Sequence, residues 1–251
     1  MENLFKKRAV WVGLVILCVI IFALLFFQKR EIPQAPVEVV PEEKVVSKGE
    51  VIGKSVQGRN IEAYTYGSGE KTLLFAGGIH GGYEWNSVVL AYQIMDYFEA
   101  NPSSVPENLK ITIIPSLNPD GVYKIIGKEG RFLASDVPAG KAIEPGRFNA
   151  NEVDLNRNFD CKWKPESVWR ENIVSAGSAP FSEPESKVFR DFTLKIKPSA
   201  VVFWHSQAGA VYASECEKGI LPETMTLMNT YAKASGYKAF STFDSYQTTG
   251  D

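Results

Sequence analysis

Hydrophobic and polar positions alternate along the chain in a pattern that predicts strands and helices in turn. Two β-rich runs, 51–56 and 61–66, are separated by the polar, glycine-containing stretch 57–60, which predicts a hairpin. The apolar runs that follow alternate with helical patterns and indicate a mainly parallel α/β sheet. Further strands are predicted at 72–76, 109–115 and 200–204, with helices that begin at Ser87 and Glu183.

The two predicted helices carry signals of their own. Ser182 stands three residues before Glu185, which predicts a capping box, and Pro184 suits the first turn of the helix. Residues at helical spacing form one apolar face on the earlier helix, which we expect to be buried. That face consists of Val88, Ala91, Tyr92, Met95 and Phe98.

A stretch without any charged residue, 9–27, lies between basic residues near the amino terminus. It is long enough to cross a bilayer and no small-residue cleavage site follows it, so we predict an uncleaved signal anchor. More basic residues precede it than follow it, which favours a cytoplasmic amino terminus and an extracytoplasmic domain. A buried core helix is the alternative. The predicted organisation is a stub and membrane helix at 1–30, a Pro- and Glu-rich linker at 31–49 and a globular domain at 50–251.

Charge and cysteine content narrow the possible partners and compartment. The net charge is −2 and no basic run occurs beyond the predicted membrane helix and its flanks, so nucleic acid is not an expected partner. Cys18 lies inside the predicted membrane helix. Cys161 and Cys216 are therefore free to pair in an exported domain, or to remain two buried thiols.

The chain contains 2 histidines, and each follows an apolar strand. His80 ends the run TLLFAGGIH and His205 ends the run AVVFWH. Open α/β sheets bind ligands at the carboxyl ends of their strands, so both imidazoles are placed to share a metal ion. Glu84 adds a carboxylate, and such a set is typical of catalytic zinc with one position left for water. The alternatives are histidines that are hydrogen-bonded in the core and a Glu84 that only begins the next helix.

The segment 149–159 is dense in amides and charges. Arg147 and Arg157 suit anion recognition, because a guanidinium presents a planar fork to a carboxylate, and Asn156 adds an amide donor. The alternative is a solvated loop held by its own salt bridges.

Other motifs give weaker signals. The glycine-containing stretches at 67–72 and 77–82 lack the spacing of a phosphate-binding loop. Ser206 has no second histidine to activate it, which disfavours a serine hydrolase. Trp163 and Trp169 stand near basic residues and predict either an insertion that covers the domain edge or a sugar-stacking or cation–π surface.

Five motifs occur in the order that is found in one known family. They are His80 with Glu84, NPDG at 118–121, DLNRNF at 154–159, SEPES at 182–186 and WHSQ at 204–207. Over residues 70–251 the chain resembles the zinc carboxypeptidases of the carboxypeptidase A type. This resemblance implies a mixed, mostly parallel sheet flanked by helices.

The resemblance also implies a role for each matching residue. One Zn²⁺ ion is held by His80, Glu84 and His205. The scissile carbonyl is polarised by Arg147, and the substrate's terminal carboxylate is bound by Asn156 and Arg157. Tyr246 falls where the family has its mobile, substrate-capping tyrosine.

Two features depart from the family pattern. Three residues, 81–83, separate His80 from Glu84 where the family usually has two, so the loop must bulge. The family's general-base glutamate lies further along than the capping tyrosine, and the sequence stops at Asp251. We therefore expect a chain truncated at its carboxyl end that binds zinc and hydrolyses substrate poorly.

The sequence as a whole predicts a membrane-anchored zinc carboxypeptidase. It would hydrolyse an amide bond next to a free carboxylate in extracytoplasmic peptides, including the stem peptides of peptidoglycan. A catalytically impaired, zinc-containing peptide-binding protein that lacks the general base is the alternative. A deacylase of small molecules that carry a carboxylate is a third reading.

Overall fold

The computed structural model describes residues 49–206, 209–246 and 248–250. The predicted membrane helix lies outside these residues, as does the linker except for its last residue. Within the described residues, none of the helices combines the length and the apolar character that a membrane span requires.

The described residues form nine strands and four α-helices. The strands are β1 (Glu50–Lys54), β2 (Asn60–Tyr66), β3 (Lys71–Ala76), β4 (Leu109–Ile114), β5 (Glu166–Trp169), β6 (Asn172–Ser175), β7 (Ala200–Phe203), β8 (Ala210–Tyr212) and β9 (Lys238–Phe240). The helices are α1 (Trp85–Ala100), α2 (Pro119–Ile126), α3 (Pro184–Ile196) and α4 (Pro222–Ser235).

The central sheet has five strands in the order β1-β2-β4-β3-β7. The strands β4, β3 and β7 are parallel, whereas β2 is antiparallel to both β1 and β4. The predicted mixed sheet flanked by helices is confirmed, but parallel pairs do not predominate in it. The reason is the amino-terminal hairpin β1–β2, which was itself predicted and adds two antiparallel pairs at one side.

Apolar residues cover both faces of this sheet. Alternate residues of β4 point to opposite faces, so Ile113 belongs to one cluster and Ile114 to the other. The first cluster is closed by α1 and α2, and the second by α3 through Phe189 and Phe192. The predicted face of α1 is confirmed, since four of its members are buried and Phe98 packs against them.

The predicted capping box at α3 is wrong. The helix begins at Pro184, and the side chain of Glu183, its N-cap residue, makes no capping hydrogen bond. The hydroxyl of Ser182 donates instead to the Glu183 carboxylate at 2.9 Å. The Glu185 carboxylate accepts from the backbone N–H of Val56 at 3.1 Å, because the β1–β2 turn packs against this end of the helix.

Cys161 and Cys216 form a disulfide with 5.7 Å between their Cα atoms. Of the two outcomes open from the sequence, the structure therefore has the paired one. The bond ties the segment after DLNRNF to the segment that precedes α4.

Candidate metal centre

Two neighbouring parallel strands bring the histidines together. β3 ends at Ala76, whose register partner on β7 is Phe203, the last residue of that strand. The pairing continues one step further, where the N–H of Trp204 donates to the carbonyl of Ala76 at 2.9 Å. His80 and His205 therefore leave the sheet at adjacent points of the same edge, as the strand-end positions predicted.

Glu84 completes this group. Potential ligand atoms of His80, Glu84 and His205 all lie within 4.8 Å of one another. Nδ1 of His205 is 3.1 Å from a carboxylate oxygen of Glu84, and the two imidazole centroids are 5.1 Å apart. His80 and Glu84 are buried, whereas the His205 side chain is 30% exposed. The three ligands thus form a cluster with one side open to solvent.

The loop between His80 and Glu84 takes up its extra residue in a tight turn. Residues Gly81–Glu84 form a 3-10 turn, with the N–H of Tyr83 bonded to the His80 carbonyl at 3.1 Å. Gly81 has φ 44°, and a Cβ there would lie 2.5 Å from the carbonyl oxygen of Gly146. Glycine is required at this position because both the backbone conformation and the space exclude a side chain.

Asp154 lies behind His80 and is fully buried. One of its oxygens is 3.5 Å from Nδ1 of His80, and the other accepts from Nε of Arg147 at 2.8 Å. A carboxylate behind a metal-binding imidazole fixes the orientation of the ring and increases its basicity. The sequence analysis gave Asp154 no role, although it is the first residue of the DLNRNF motif.

These donors fit a zinc ion. Burial lowers the pKa of His80 well below its usual value, and the positive charge of Arg147 acts in the same direction, so the ring is neutral as a metal ligand must be. Its buried Nδ1 has no hydrogen-bond partner among the described residues, which leaves a polar atom for a metal or Asp154 to satisfy. Two imidazoles and a carboxylate are also the donor types that catalytic zinc uses.

Arg147 is buried beside the metal ligands. Nε and Nη2 of its guanidinium both contact Asp154 at 2.8 Å, and its Cζ is 4.6 Å from the ring centroid of Trp169. Neither contact uses Nη1. The predicted role at the scissile carbonyl therefore depends on that one remaining nitrogen.

Asn156, Arg157 and Tyr246 also lie together. Arg157 is 1% exposed, its Nη1 donates to the carbonyl of Asn156, and its Nε and Nη2 donate to the carbonyl of Val168. The Tyr246 ring centroid is 5.9 Å from its Cζ. The structure thus groups the predicted carboxylate-binding residues with the predicted capping tyrosine, but in this conformation backbone carbonyls occupy the Arg157 donors.

An aromatic wall adjoins residues 80–84, which we call the metal loop. The aromatic wall consists of Tyr83, Phe148 and Trp169. The rings of Tyr83 and Phe148 contact the Trp169 ring edge-on, with 5.2 and 6.2 Å between ring centroids. Trp169 is 8% exposed, so its faces are not available for stacking on a sugar. The structure therefore argues against sugar stacking at Trp169, whereas it does show a cation–π contact, because Cζ of Arg170 lies 5.3 Å from the Trp169 ring centroid.

The fold and this residue set define a class, namely α/β proteins with side chains at the carboxyl edge of the sheet that could hold one metal ion. The sequence profile described as zinc carboxypeptidase matches residues 39–249. The chain belongs to the zinc carboxypeptidase family, which confirms the resemblance seen in the five motifs.

Individual relatives agree with this assignment. Gamma-D-glutamyl-L-diamino acid endopeptidase 1 of Lysinibacillus sphaericus is 25% identical over 220 residues, which cover 79% of this chain and 55% of that protein. Metallocarboxypeptidase A of Trichophyton tonsurans is 32% identical over 122 residues, which cover 44% of this chain and 27% of the relative. The chain thus spans about half the length of the first relative and about a quarter of the length of the second.

Solved structures share the fold. Murein-tripeptide amidase MpaA from Escherichia coli superposes with a TM-score of 0.55 and 25% identity, over 80% of this chain and 75% of that one. Thrombin activatable fibrinolysis inhibitor gives a TM-score of 0.60 at 18% identity, over 81% of this chain and 56% of that one. The second likeness is one of fold alone.

Proposed function

We propose that this chain is a zinc-dependent hydrolase that cleaves an amide bond next to a free carboxylate in cell-wall peptides outside the cytoplasm. The observation that carries the proposal is the cluster of His80, Glu84 and His205, open to solvent on one side, with Arg147 and Arg157 close by. Two of its ligands are already fixed by burial and by Asp154, so the site needs little rearrangement to bind metal.

Each residue of the site has a defined task in this proposal. A bound zinc ion supplies Lewis acidity and an acidified water. Asp154 orients the His80 ring and holds Arg147 in place. Nη1 of Arg147 donates to the carbonyl oxygen that gains charge in the transition state. Arg157 exchanges its bonds to backbone carbonyls for the substrate's carboxylate when Tyr246 closes over it.

The names of two relatives support cell-wall peptides as the substrate class. One relative is a gamma-D-glutamyl-L-diamino acid endopeptidase and the other a murein-tripeptide amidase. Each covers 79 to 80% of this chain. We propose that this chain acts on the same kind of peptide.

Two features support a position outside the cytoplasm. The Cys161–Cys216 disulfide is of the kind that persists in oxidising compartments. The uncharged stretch 9–27 would hold the domain at the membrane, with the amino terminus in the cytoplasm. Both agree with a hydrolase tethered near the cell wall.

Zinc content tests the site directly. We expect the purified chain to contain one zinc ion, measured by mass spectrometry of the metal, and His80→Ala to lose it because one of three protein ligands is gone. The exposed Asp96→Asn variant is the control and should retain the metal. Stoichiometric zinc in His80→Ala would contradict the assignment of the site.

Turnover then tests the reaction. We expect slow release of the diamino acid from a γ-D-glutamyl-diamino acid peptide, measured by chromatography, and none with His80→Ala. Zinc binding without turnover on this or on an ordinary peptide would contradict the hydrolase and favour the peptide-binding alternative. Activity on acyl-amino acids alone would favour the deacylase.

A further inference from the structure

Arg170 occupies an unusual backbone position at the tip of the hairpin β5–β6. The strands are joined by a two-residue turn, with Trp169 paired to Asn172 across it. Arg170 has φ 56°, in the left-handed region, where glycine and asparagine are the usual residues. The sequence thus places a long, charged side chain where a smaller residue would be easier to accommodate.

Two contacts hold this exposed side chain in one place. Nη2 of Arg170 donates to the hydroxyl of Tyr83 at 2.9 Å, and its Cζ lies 5.3 Å from the Trp169 ring centroid. Both aromatic residues belong to the aromatic wall and contact each other edge-on. The guanidinium is therefore oriented by the protein before any ligand arrives, and its remaining N–H groups face solvent.

The charge of Arg170 is not neutralised, in contrast to that of comparable arginines. Arg131 lies over the Tyr92 ring but pairs with Asp96 at 2.7 Å. Likewise, Arg190 lies over an aromatic ring and pairs with its neighbouring aspartate at 2.7 Å. In the part of the chain that the structure describes, no carboxylate forms an ion pair with Arg170. Arg170 is thus an exposed arginine that is held by two aromatic residues.

This cation stands next to the metal centre. Tyr83, which accepts its hydrogen bond, directly precedes the metal ligand Glu84 and belongs to the three-residue spacer that departs from the usual two. The aromatic wall also contacts Arg147, which is bonded to Asp154 behind His80. Because these contacts connect Arg170 to the cluster, we expect a substrate residue beside the scissile bond to lie near this wall.

We infer that Arg170 binds a second carboxylate of the substrate, carried by a residue beside the scissile bond and distinct from the terminal carboxylate. A γ-linked glutamyl residue has such a group, because its α-carboxylate stays free. The guanidinium fork matches a carboxylate, and Tyr83 acts as a positioning residue for it. This inference rests on the proposed function and names the group that selects its substrate.

A pair of peptides that differ in one group tests the inference. Both are γ-D-glutamyl-L-lysine analogues with a ketomethylene group in place of the scissile amide, one with a free α-carboxylate and one with an α-carboxamide. Their dissociation constants are measured by calorimetry on the zinc-loaded chain. We expect the carboxylate to bind about tenfold more tightly, the low end for a charged hydrogen bond because Arg170 is exposed.

The variants assign that preference to Arg170. Arg170→Gln should reduce the ratio of the two dissociation constants to about one and leave the affinity for the carboxamide within about twofold of the original. Tyr83→Phe should give an intermediate ratio, since it removes the acceptor but keeps the ring. Arg131→Gln is the matched control, an exposed arginine over another ring, and should keep the tenfold ratio.

The possible failures are distinguishable. Equal binding of both peptides by the unaltered chain would overturn the role of Arg170 and leave the proposed function standing. An Arg170→Gln variant that weakens both peptides equally would show a structural role only, which also overturns the inference. If neither peptide binds although zinc is present, the cell-wall substrate class is wrong as well.

Discussion

Asp154 links two groups of functional side chains through a single carboxylate. Its oxygens contact His80 on one side and Arg147 on the other, and both Asp154 and Arg147 are buried. Removal of one member of a buried ion pair leaves the other as an uncompensated charge, which is far more costly than loss of an exposed pair. We therefore expect Asp154 to affect both the stability of the fold and the binding of a metal.

Asp154→Asn should lower the free energy of unfolding by about 3–5 kcal/mol and weaken zinc binding by about 10–100-fold. Urea denaturation and a chelator competition measure the two effects. The control is Asp96→Asn, which breaks the exposed pair with Arg131, where the expected loss is below about 1 kcal/mol. If both variants lost the same free energy of unfolding, the expected effect of burial would be contradicted.

Glu185 makes stability depend on pH. Burial raises its pKa above the ordinary value of 4.5, so the folded protein holds this proton more tightly than the unfolded chain does. The stabilisation from this bound proton is complete at a pH below the pKa of Glu185 in the unfolded chain. It is lost as the pH rises through the pKa of Glu185 in the folded protein.

Glu185→Gln mimics the protonated side chain, so the variant should gain stability relative to the unaltered chain as the pH rises from about 4 to about 7. Denaturation with urea across this range measures the difference. The exposed Glu107→Gln variant controls for the removal of one acidic group. A difference that is constant with pH would contradict the expectation.

At the scale of residues, the clustering of His80, Glu84 and His205 was predictable from the sequence, but the orientation of Arg157 was not. His80 and His205 follow apolar runs, and the carboxyl ends of neighbouring strands meet at one edge. The Arg157 donors face the carbonyl of Val168 on β5, a contact that depends on where a hairpin packs. The residues next to Arg157 in the sequence do not determine where that hairpin packs.

At the scale of elements, the metal loop and α2 approach each other closely at glycine residues. A Cβ at Gly121, in the first turn of α2, would collide with the carbonyl oxygen of Gly146, the same oxygen that a Cβ at Gly81 would meet. The NPDG turn and the metal loop thus share one tightly packed point, at which the ligand His80 is held.

Gly121→Ala should destabilise the protein by about 1–3 kcal/mol and weaken zinc binding, because the backbone must shift beside the metal loop. Gly127→Ala at the other end of α2 is the control. No atom lies within 4 Å of a Cβ there, so its cost is the left-handed backbone alone, about 1–2 kcal/mol, and zinc affinity should not change. Equal zinc affinities in the two variants would count against the shared packing point.

Elements with a long apolar pattern were predicted well, and those held by tertiary contacts were not. The strands at 72–76 and 200–204 differ from β3 and β7 by one residue at an end. The capping box at α3 failed because Glu185 bonds to Val56, which is 129 residues away. The short strands β8 and β9 pair in parallel around α4 and have no comparable run of buried apolar residues.

At the scale of the whole molecule, the Cys161–Cys216 disulfide constrains the segment that contains His205. The disulfide closes a loop with a sequence separation of 55, and loop-closure entropy gives it about 4 kcal/mol of stabilisation. Reduction should lower the free energy of unfolding by about that amount, measured by urea denaturation with and without dithiothreitol. The double variant Cys161→Ser, Cys216→Ser should start at the lower stability and not respond to the reductant.

The pairing of β3 with β7 also sets when a metal can be captured. His80 lies near the first of these strands and His205 after the second, with α1, β4, α2, both strands of the β5–β6 hairpin and α3 between them in the chain. Closing so long a loop is a slow step, and before it is closed only the weak pair of His80 and Glu84 is present. We therefore expect tight metal uptake late in folding, and the rate at which zinc becomes resistant to a chelator during refolding should follow the docking of β7.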